Sequence, residues 1–525
     1  MTIKRAITIL PLAVTVAALA AGCSGGPAAP TAPTGTSTAF TAPTPTGSWP
    51  YPNGDLANTR VAPGSVITSA NVSRLREAWS FKLTGTPASG VKDTGSFVAG
   101  PVVAGGVAYI QDLDCDVYAV SLATGKLKWE YQANAPEASG PGPNGVAVAA
   151  GAVYGDSPYA AFALNAATGK VLWSDSHLLN SGQGSFEIQP QVADGRVYLA
   201  SAYGNGPGGG VLLALNASSG HVLWRFNTVT GGQASGVSAL DLGAGGAWEP
   251  PLIGSDGSVT FGTGNPYESM GSAIAHPSRA LYTDSLLNLD AATGRLRWYY
   301  QAVPNDFKDH DIQASPVSAV IDGKPAVIGS GKLGYVYAMD ARTGALLWRT
   351  PVGVHNGTDN DSVLALSHKF HPALPYTYEP GALGGVLANI AVADGSVYVA
   401  TIDVPFTITS LSAVNGSAAA STLAGQVEAV NLATGKVEWD TKVSSLPLGA
   451  ATVSNDLVFT TLYGGQLLAL NRATGAVVYR HTLPASTNAP IAVFGNTVLV
   501  PAGAPPVSAK ADSGGTPQLV AYTVP

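Results

Sequence analysis

Five ionisable side chains fall within six consecutive residues, Asp306-Phe307-Lys308-Asp309-His310-Asp311, in a 525-residue chain that is only 11% charged. Carboxylates so placed could take a proton from a hydroxyl or hold a hard cation. A charge run is ordinarily a solvated loop with surface ion pairs, so its surroundings must decide. His310 has no partner at metal-ligand spacing. Asn265 follows Gly262-Thr263-Gly264, where an Asn side chain can close a turn. Lys332 lies in Gly331-Lys332-Leu333-Gly334, and flanking glycines let backbone approach a ligand closely. The run GNGPGGG (Gly204–Gly210) precedes a strand and not a helix, which argues against a phosphate cradle. Cys115, in DLDCDVYAV, reads as a buried inert thiol. No C-x-x-C-H is present to attach a haem.

Such residues need a scaffold, and the sequence writes one repeatedly. The copies are VYAVSLATGKLKW (Val117–Trp129), AFALNAATGKVLW (Ala161–Trp173), LLALNASSGHVLW (Leu212–Trp224), LLNLDAATGRLRW (Leu286–Trp298), VYAMDARTGALLW (Val336–Trp348), VEAVNLATGKVEW (Val427–Trp439) and LLALNRATGAVVY (Leu467–Tyr479). Tight-turn signals recur between apolar runs, among them Ala193-Asp194-Gly195, Ile321-Asp322-Gly323, Ala393-Asp394-Gly395 and Phe494-Gly495-Asn496. Gly, Asn and Asp supply the positive φ that two-residue hairpins need. The unit is therefore a hairpin, a third strand, an Asp/Asn-x-x-Thr-Gly turn and a fourth strand ending in an aromatic. Eight hairpin signals and seven phrases are reconciled if LVAYTV (Leu519–Val524) pairs with REAWSFKL (Arg76–Leu83), whose Trp79 matches the phrase-ending aromatic. The expected fold is all-β, an eight-bladed β-propeller of four-stranded antiparallel blades closed by N- and C-terminal strands. Closure by both termini protects edge strands. The Thr-Gly positions shape turns and the Trp residues pack between blades, so the repeat itself supplies no chemistry.

The net charge is −7 with no basic run, which argues against a nucleic-acid partner. Lys4 and Arg5 precede an apolar, small-residue run, Ala6–Ala21, that stops at Ala20-Ala21-Gly22-Cys23-Ser24. This resembles a bacterial lipobox, in which Cys23 is lipidated. An ordinary cleaved signal peptide is the alternative. The expected organisation is a lipoprotein signal peptide over 1–22, lipidated Cys23 with a disordered Pro/Thr/Ala-rich tether over 23–48, and the propeller over 49–525. The protein is thus expected to be exported and lipid-anchored at the cell membrane, outside the cytoplasm.

Longer motifs carry a resemblance to the quinoprotein alcohol dehydrogenases, which bind pyrroloquinoline quinone (PQQ). They are WPYPNGDLANTRVAPGSVITSANVSRLREAWSFKLTG (Trp49–Gly85), FGTGNP (Phe261–Pro266), WYYQAVPNDFKDHDIQASPV (Trp298–Val317) and IGSGKLGYVYAMDARTGALLWRTPVG (Ile328–Gly353). HDIQASPV followed by GKLGYVYAMD is most similar to the polyvinyl-alcohol dehydrogenase branch. The resemblance implies PQQ and calcium as cofactors. It implies Asp309 as catalytic base and calcium ligand, with Asn265 and Asn205 as further calcium ligands. Lys332 would contact the quinone carbonyls and Trp248, in GGAWEP, would lie under the ring. The substrate would be a small or polymeric alcohol, and electrons would pass to a separate acceptor.

The chain departs from that pattern at several places. Asn205 stands where the family has a Glu ligand, and Asn144 where it has an Arg. Val98 replaces an acidic quinone contact, Ala138-Ser139 an adjacent-Cys pair, and Lys308 the Trp before the catalytic Asp. Two readings follow: an exported dehydrogenase acting on alcohols or polyols, or a non-catalytic propeller serving as a protein-binding scaffold at the cell envelope.

Overall fold

The computed structural model describes residues 47–62, 64–83, 96–133, 142–202, 209–229, 245–418, 423–504 and 515–525. Cys23, the signal segment and Asn205 lie outside these residues. The repeated unit folds as an antiparallel sheet each time. Blade 1 is Val102–Ala104, Val107–Gln111, Val117–Ser121 and Leu127–Tyr131, hydrogen-bonded in chain order. Blade 4 runs from Leu252–Ile253 to Leu296–Gln301, and blade 5 from Val317–Ile321 to Leu346–Pro351, in the same order. The last sheet joins the chain ends: Arg76–Lys82 pairs with Gln518–Thr523, with Ser80 opposite Val520.

The repeated phrase is an inter-blade fastener. In blade 2, Asn165 Oδ1 accepts from the backbone N–H groups of Ala167 and Thr168 and from the Thr168 hydroxyl, each at 3.1 Å. Gly169 then turns with φ +70°, and a Cβ there would lie 2.7 Å from the Trp129 ring of the preceding blade. Trp129 Nε1 in turn donates to Ala166 O at 2.9 Å. The same Trp-to-carbonyl bond recurs from Trp79 to Leu122, Trp173 to Ala217, Trp224 to Ala291, Trp298 to Ala341, Trp348 to Leu432 and Trp439 to Arg472. The glycine is therefore required twice, for its backbone dihedral and for the space that the indole fills.

These turns define one edge of the molecule. The phrase turn of each blade bonds back to that blade's hairpin turn, as in Ala166 N to Gly151 O and Ala217 N to Gly195 O, both 2.9 Å. Both turns thus share an edge, and the links between second and third strands and the long links between successive blades lie on the opposite edge. Asn265, Asp309 and Trp248 belong to long links, and Lys332 to the three-residue link between the second and third strands of blade 5, on the same edge.

Two features organise the interior. The segment Trp49–Ala62 crosses the inner strands: Trp49 pairs with Val103, Asn58 Nδ2 donates to Pro316 O at 3.0 Å, and Ala62 N donates to Val453 O at 2.9 Å. Arg60 is fully buried, and its guanidinium donates to Ala451 O, Asn53 Oδ1, Thr452 Oγ1 and Ile491 O within 2.7–2.8 Å. The second feature is a cap on the long-link edge. It comprises α1 (Met270–Ala275), α2 (Asp361–Leu366) and a three-stranded sheet of Tyr376–Tyr378, Phe406–Ile408 and Ser417–Ala418. Met270, Phe307, Phe370, Tyr378 and Phe406 share its apolar core.

Candidate active site

The charged run of the sequence is buried. Asp306, Lys308, His310 and Asp311 are at most 1% exposed and Asp309 is 9% exposed. Burial on this scale needs partners, and Asp306, Lys308 and His310 each have their own. Asp306 accepts from the backbone N–H groups of Lys308 (2.9 Å) and His310 (2.7 Å), which folds the loop on itself. Lys308 reaches away from Asp309 and donates to Thr358 O at 2.6 Å. His310 Nε2 donates to Pro380 O at 3.0 Å, and burial holds its pKa well below the usual value, so it stays neutral. Lys308 and His310 therefore tie the loop to the cap.

Asp309 and Asp311 face Lys332. Its ammonium lies 3.0 Å from Asp309 Oδ1 and 2.5 Å from Asp311 Oδ2. Burial works against the lysine's charge, but the two carboxylates outweigh it and raise its pKa, so Lys332 is a fixed cation. Burial is also the main influence on Asp309 and pushes its carboxyl well above the usual range, against the pull of Lys332 and with the push of Asp311. A carboxylate so placed has a raised affinity for a proton, as a general base needs. The second oxygen of Asp309 accepts from Asn415 Nδ2 at 3.2 Å.

Asp311 links this triad to blade 4. Its Oδ1 accepts the backbone N–H of Asn265 at 2.7 Å. The Asn265 side chain is 1% exposed, and neither its amide oxygen nor its nitrogen has a hydrogen-bond partner among the described residues. Gly264 lets the strands close up: a Cβ there would lie 2.7 Å from the Trp248 ring and 3.0 Å from Asp311 Oδ1. Trp248 is half-buried beside that junction. The structure thus brings Asp309, Lys332, Asn265 and Trp248 into one connected constellation.

Asp311 and Asn415 belong to the constellation although the sequence did not single them out. Asp311 was visible as a charge two residues beyond Asp309. Asn415 had no signal, because it lies on a cap hairpin outside the repeat. On the far side, Asn144 is spent on Asp156, donating to Oδ1 at 2.7 Å. Blades 1 to 3 there present buried Asp112, Asp156 and Glu187.

Comparison with known proteins identifies the family. The family model of the glucose/ethanol/alcohol dehydrogenase β-propeller domain matches residues 49–170 and 187–354, more than half of the chain. The chain belongs to that family. The quinohemoprotein alcohol dehydrogenase of Comamonas testosteroni is 30% identical over 339 residues, covering 58% of this chain and 46% of the relative. A polyvinylalcohol dehydrogenase from a Pseudomonas species is 25% identical over 388 residues, covering 66% and 54%. The chain thus spans about half the length of the curated relatives it matches. The solved quinohemoprotein alcohol dehydrogenase ADHIIG of Pseudomonas putida superposes with a TM-score of 0.76 at 21% identity, covering 91% of this chain and 80% of that one. A second family model, the outer membrane protein assembly factor BamB, matches residues 423–517.

Proposed function

We propose that this protein is a PQQ-dependent dehydrogenase that oxidises an alcohol or polyol with Asp309 as base. One observation carries the reading: a buried ammonium, Lys332, is clasped by Asp309 and Asp311, beside an Asn265 amide with no partner of its own among the described residues. A buried amide left unpaired is costly unless something else binds it. The local donor set suits a calcium-like cation, which takes carboxylate and amide oxygens; Asn265, Asp309 and Asp311 would hold it. Lys332 would meet the carbonyl edge of the quinone and Trp248 its face. When bound, the quinone supplies the two-electron acceptor for the substrate hydride.

The residues of this chain do the remaining work. Asp309 takes the hydroxyl proton on a carboxylate oxygen, and burial raises its affinity for that proton. Lys332 keeps the neighbouring charge neutralised. The cap excludes water from the loop at residues 308–310. Cys23 lipidation and export would place the site outside the cytoplasm, with electrons leaving to a separate acceptor.

The match to the BamB model over 423–517 favours a second reading, a scaffold that retains the ring without catalysis. Purified protein supplied with PQQ and calcium separates the two. Cofactor absorbance and dye reduction with an alcohol panel support the enzyme, and no binding at micromolar PQQ removes it. If PQQ binds, Asp309→Ala abolishes turnover and leaves the chain folded, as read by circular dichroism.

A further inference from the structure

Asp309 is held by both oxygens, and the two holders come from different parts of the fold. Lys332, on blade 5, takes Oδ1 at 3.0 Å. Asn415, on the cap hairpin between Phe406–Ile408 and Ser417–Ala418, takes Oδ2 at 3.2 Å. A carboxylate tethered at one oxygen can still swing about its last torsion; a second donor removes that freedom.

The hairpin tip is built to present this amide. Asn415 has φ +63°, a left-handed conformation that Asn tolerates better than most residues. Its carbonyl accepts the Tyr378 hydroxyl at 3.3 Å, and the same hydroxyl bonds Lys308 O at 3.0 Å. Val414 forms a β-bridge with Ser269, and Gly271 N donates to Leu411 O at 2.7 Å. The tip is therefore fixed from two sides before it meets Asp309. The amide orientation follows from the carboxylate, since the reversed amide would set oxygen against oxygen.

We propose that Asn415 is a positioning residue, delivered by the cap, that fixes the Asp309 carboxylate for proton transfer. A carboxylate oxygen has two lone-pair sites, so Oδ2 can accept from Asn415 and from a substrate hydroxyl together. The proposal rests on the reading of Asp309 as the base. It predicts a sign as well as a loss: an acidic residue at 415 would face carboxylate with carboxylate and misplace Asp309 further than a truncation does.

The test uses the full chain loaded with PQQ and calcium, with ethanol as substrate. Asn415→Ala lowers kcat about tenfold, with KM within twofold and the melting temperature unchanged. Asn415→Gln, which keeps the donor, recovers most of the rate, and Asn415→Asp falls below Asn415→Ala. Wild-type kcat in both Asn415→Ala and Asn415→Asp overturns the proposal. No turnover in the unaltered protein defeats the reading of Asp309 as base, and the contact is then judged by amide hydrogen exchange across 406–418. Asp309→Ala and Asn415→Ala each speed exchange several-fold, and the double variant no more than either alone. Additive or absent effects overturn the inference.

Discussion

At the scale of single residues, the site depends on one lysine balancing two acids. Among the described residues, Lys332 alone forms ion pairs with Asp309 and Asp311. Removing one member of a buried ion pair leaves uncompensated charge and costs about 3–5 kcal/mol. Lys332→Met should therefore lower stability by that amount in urea unfolding at pH 7, and lose PQQ absorbance as well. If PQQ binds as proposed, the segment around Asn144 would hold it weakly. Asn144, bonded to Asp156, offers no cation to a quinone carboxylate, and Asp156 is fully buried. Asn144→Arg combined with Asp156→Asn should tighten PQQ binding about tenfold, measured by cofactor titration; unchanged affinity would mean that the cofactor does not reach blade 2. Asp309, Lys332, Asn265 and Trp248 were legible in the sequence because each sits in a motif with fixed neighbours. Asp311 was legible only as charge, since nothing in Lys-Asp-His-Asp says which carboxylate turns toward blade 4.

At the scale of elements, the fastener between blades was the most legible feature. Thr-Gly and Trp recur at one spacing, and the structure pairs the glycine of each copy with the indole of the blade before. Gly294 has φ +70°, and a Cβ there would lie 2.6 Å from Trp224. Gly294→Ala should destabilise by about 2–3 kcal/mol, from backbone strain and overpacking together. A calorimetric melting shift near zero would show that the indole can retreat. The cap was illegible for the converse reason: its strands are two or three residues long, unrepeated and far apart in sequence, so no period betrays them. Its attachment to blade 5 should respond to pH. His355 Nδ1 lies 3.0 Å from Asp359 Oδ1, and Nε2 lies 3.1 Å from Gly334 O. Both ring nitrogens face acceptors, so the imidazolium is the form that fits. Burial opposes that charge, but Asp359 prevails and raises the pKa from 6.5. The stabilisation is complete below the unfolded value of 6.5 and is lost as pH rises through the higher folded value. Exchange protection in 353–366, with the intrinsic pH dependence of amide exchange divided out, should fall as pH rises above 6.5, and His355→Phe should remove that fall.

At the scale of the whole molecule, the inner strands of the blades are bridged by a segment the repeat does not predict. Asn58-Thr59-Arg60 was readable as a motif, but not its position, because one buried cation satisfies carbonyls from two separate blades. Burial lowers the Arg60 pKa to about 9, with Glu249 opposing that shift. Glu249 is the matching acid: burial raises its pKa to about 7, against the hydrogen bond from Asn389 and the charge of Arg60. Such an acid keeps a proton in the folded state that the unfolded chain has already released. Stability must then fall as pH rises from the ordinary carboxylate range, 4.5 for this group, to about 7. The loss approaches about 3 kcal/mol if no other group compensates. Glu249→Gln keeps an oxygen for the Asn389 amide and removes the titration. Its urea midpoint should match the unaltered protein near pH 5 and exceed it at pH 8. Equal midpoints at both pH values would mean that Glu249 is ionised throughout and that its pairing with Arg60 outweighs burial.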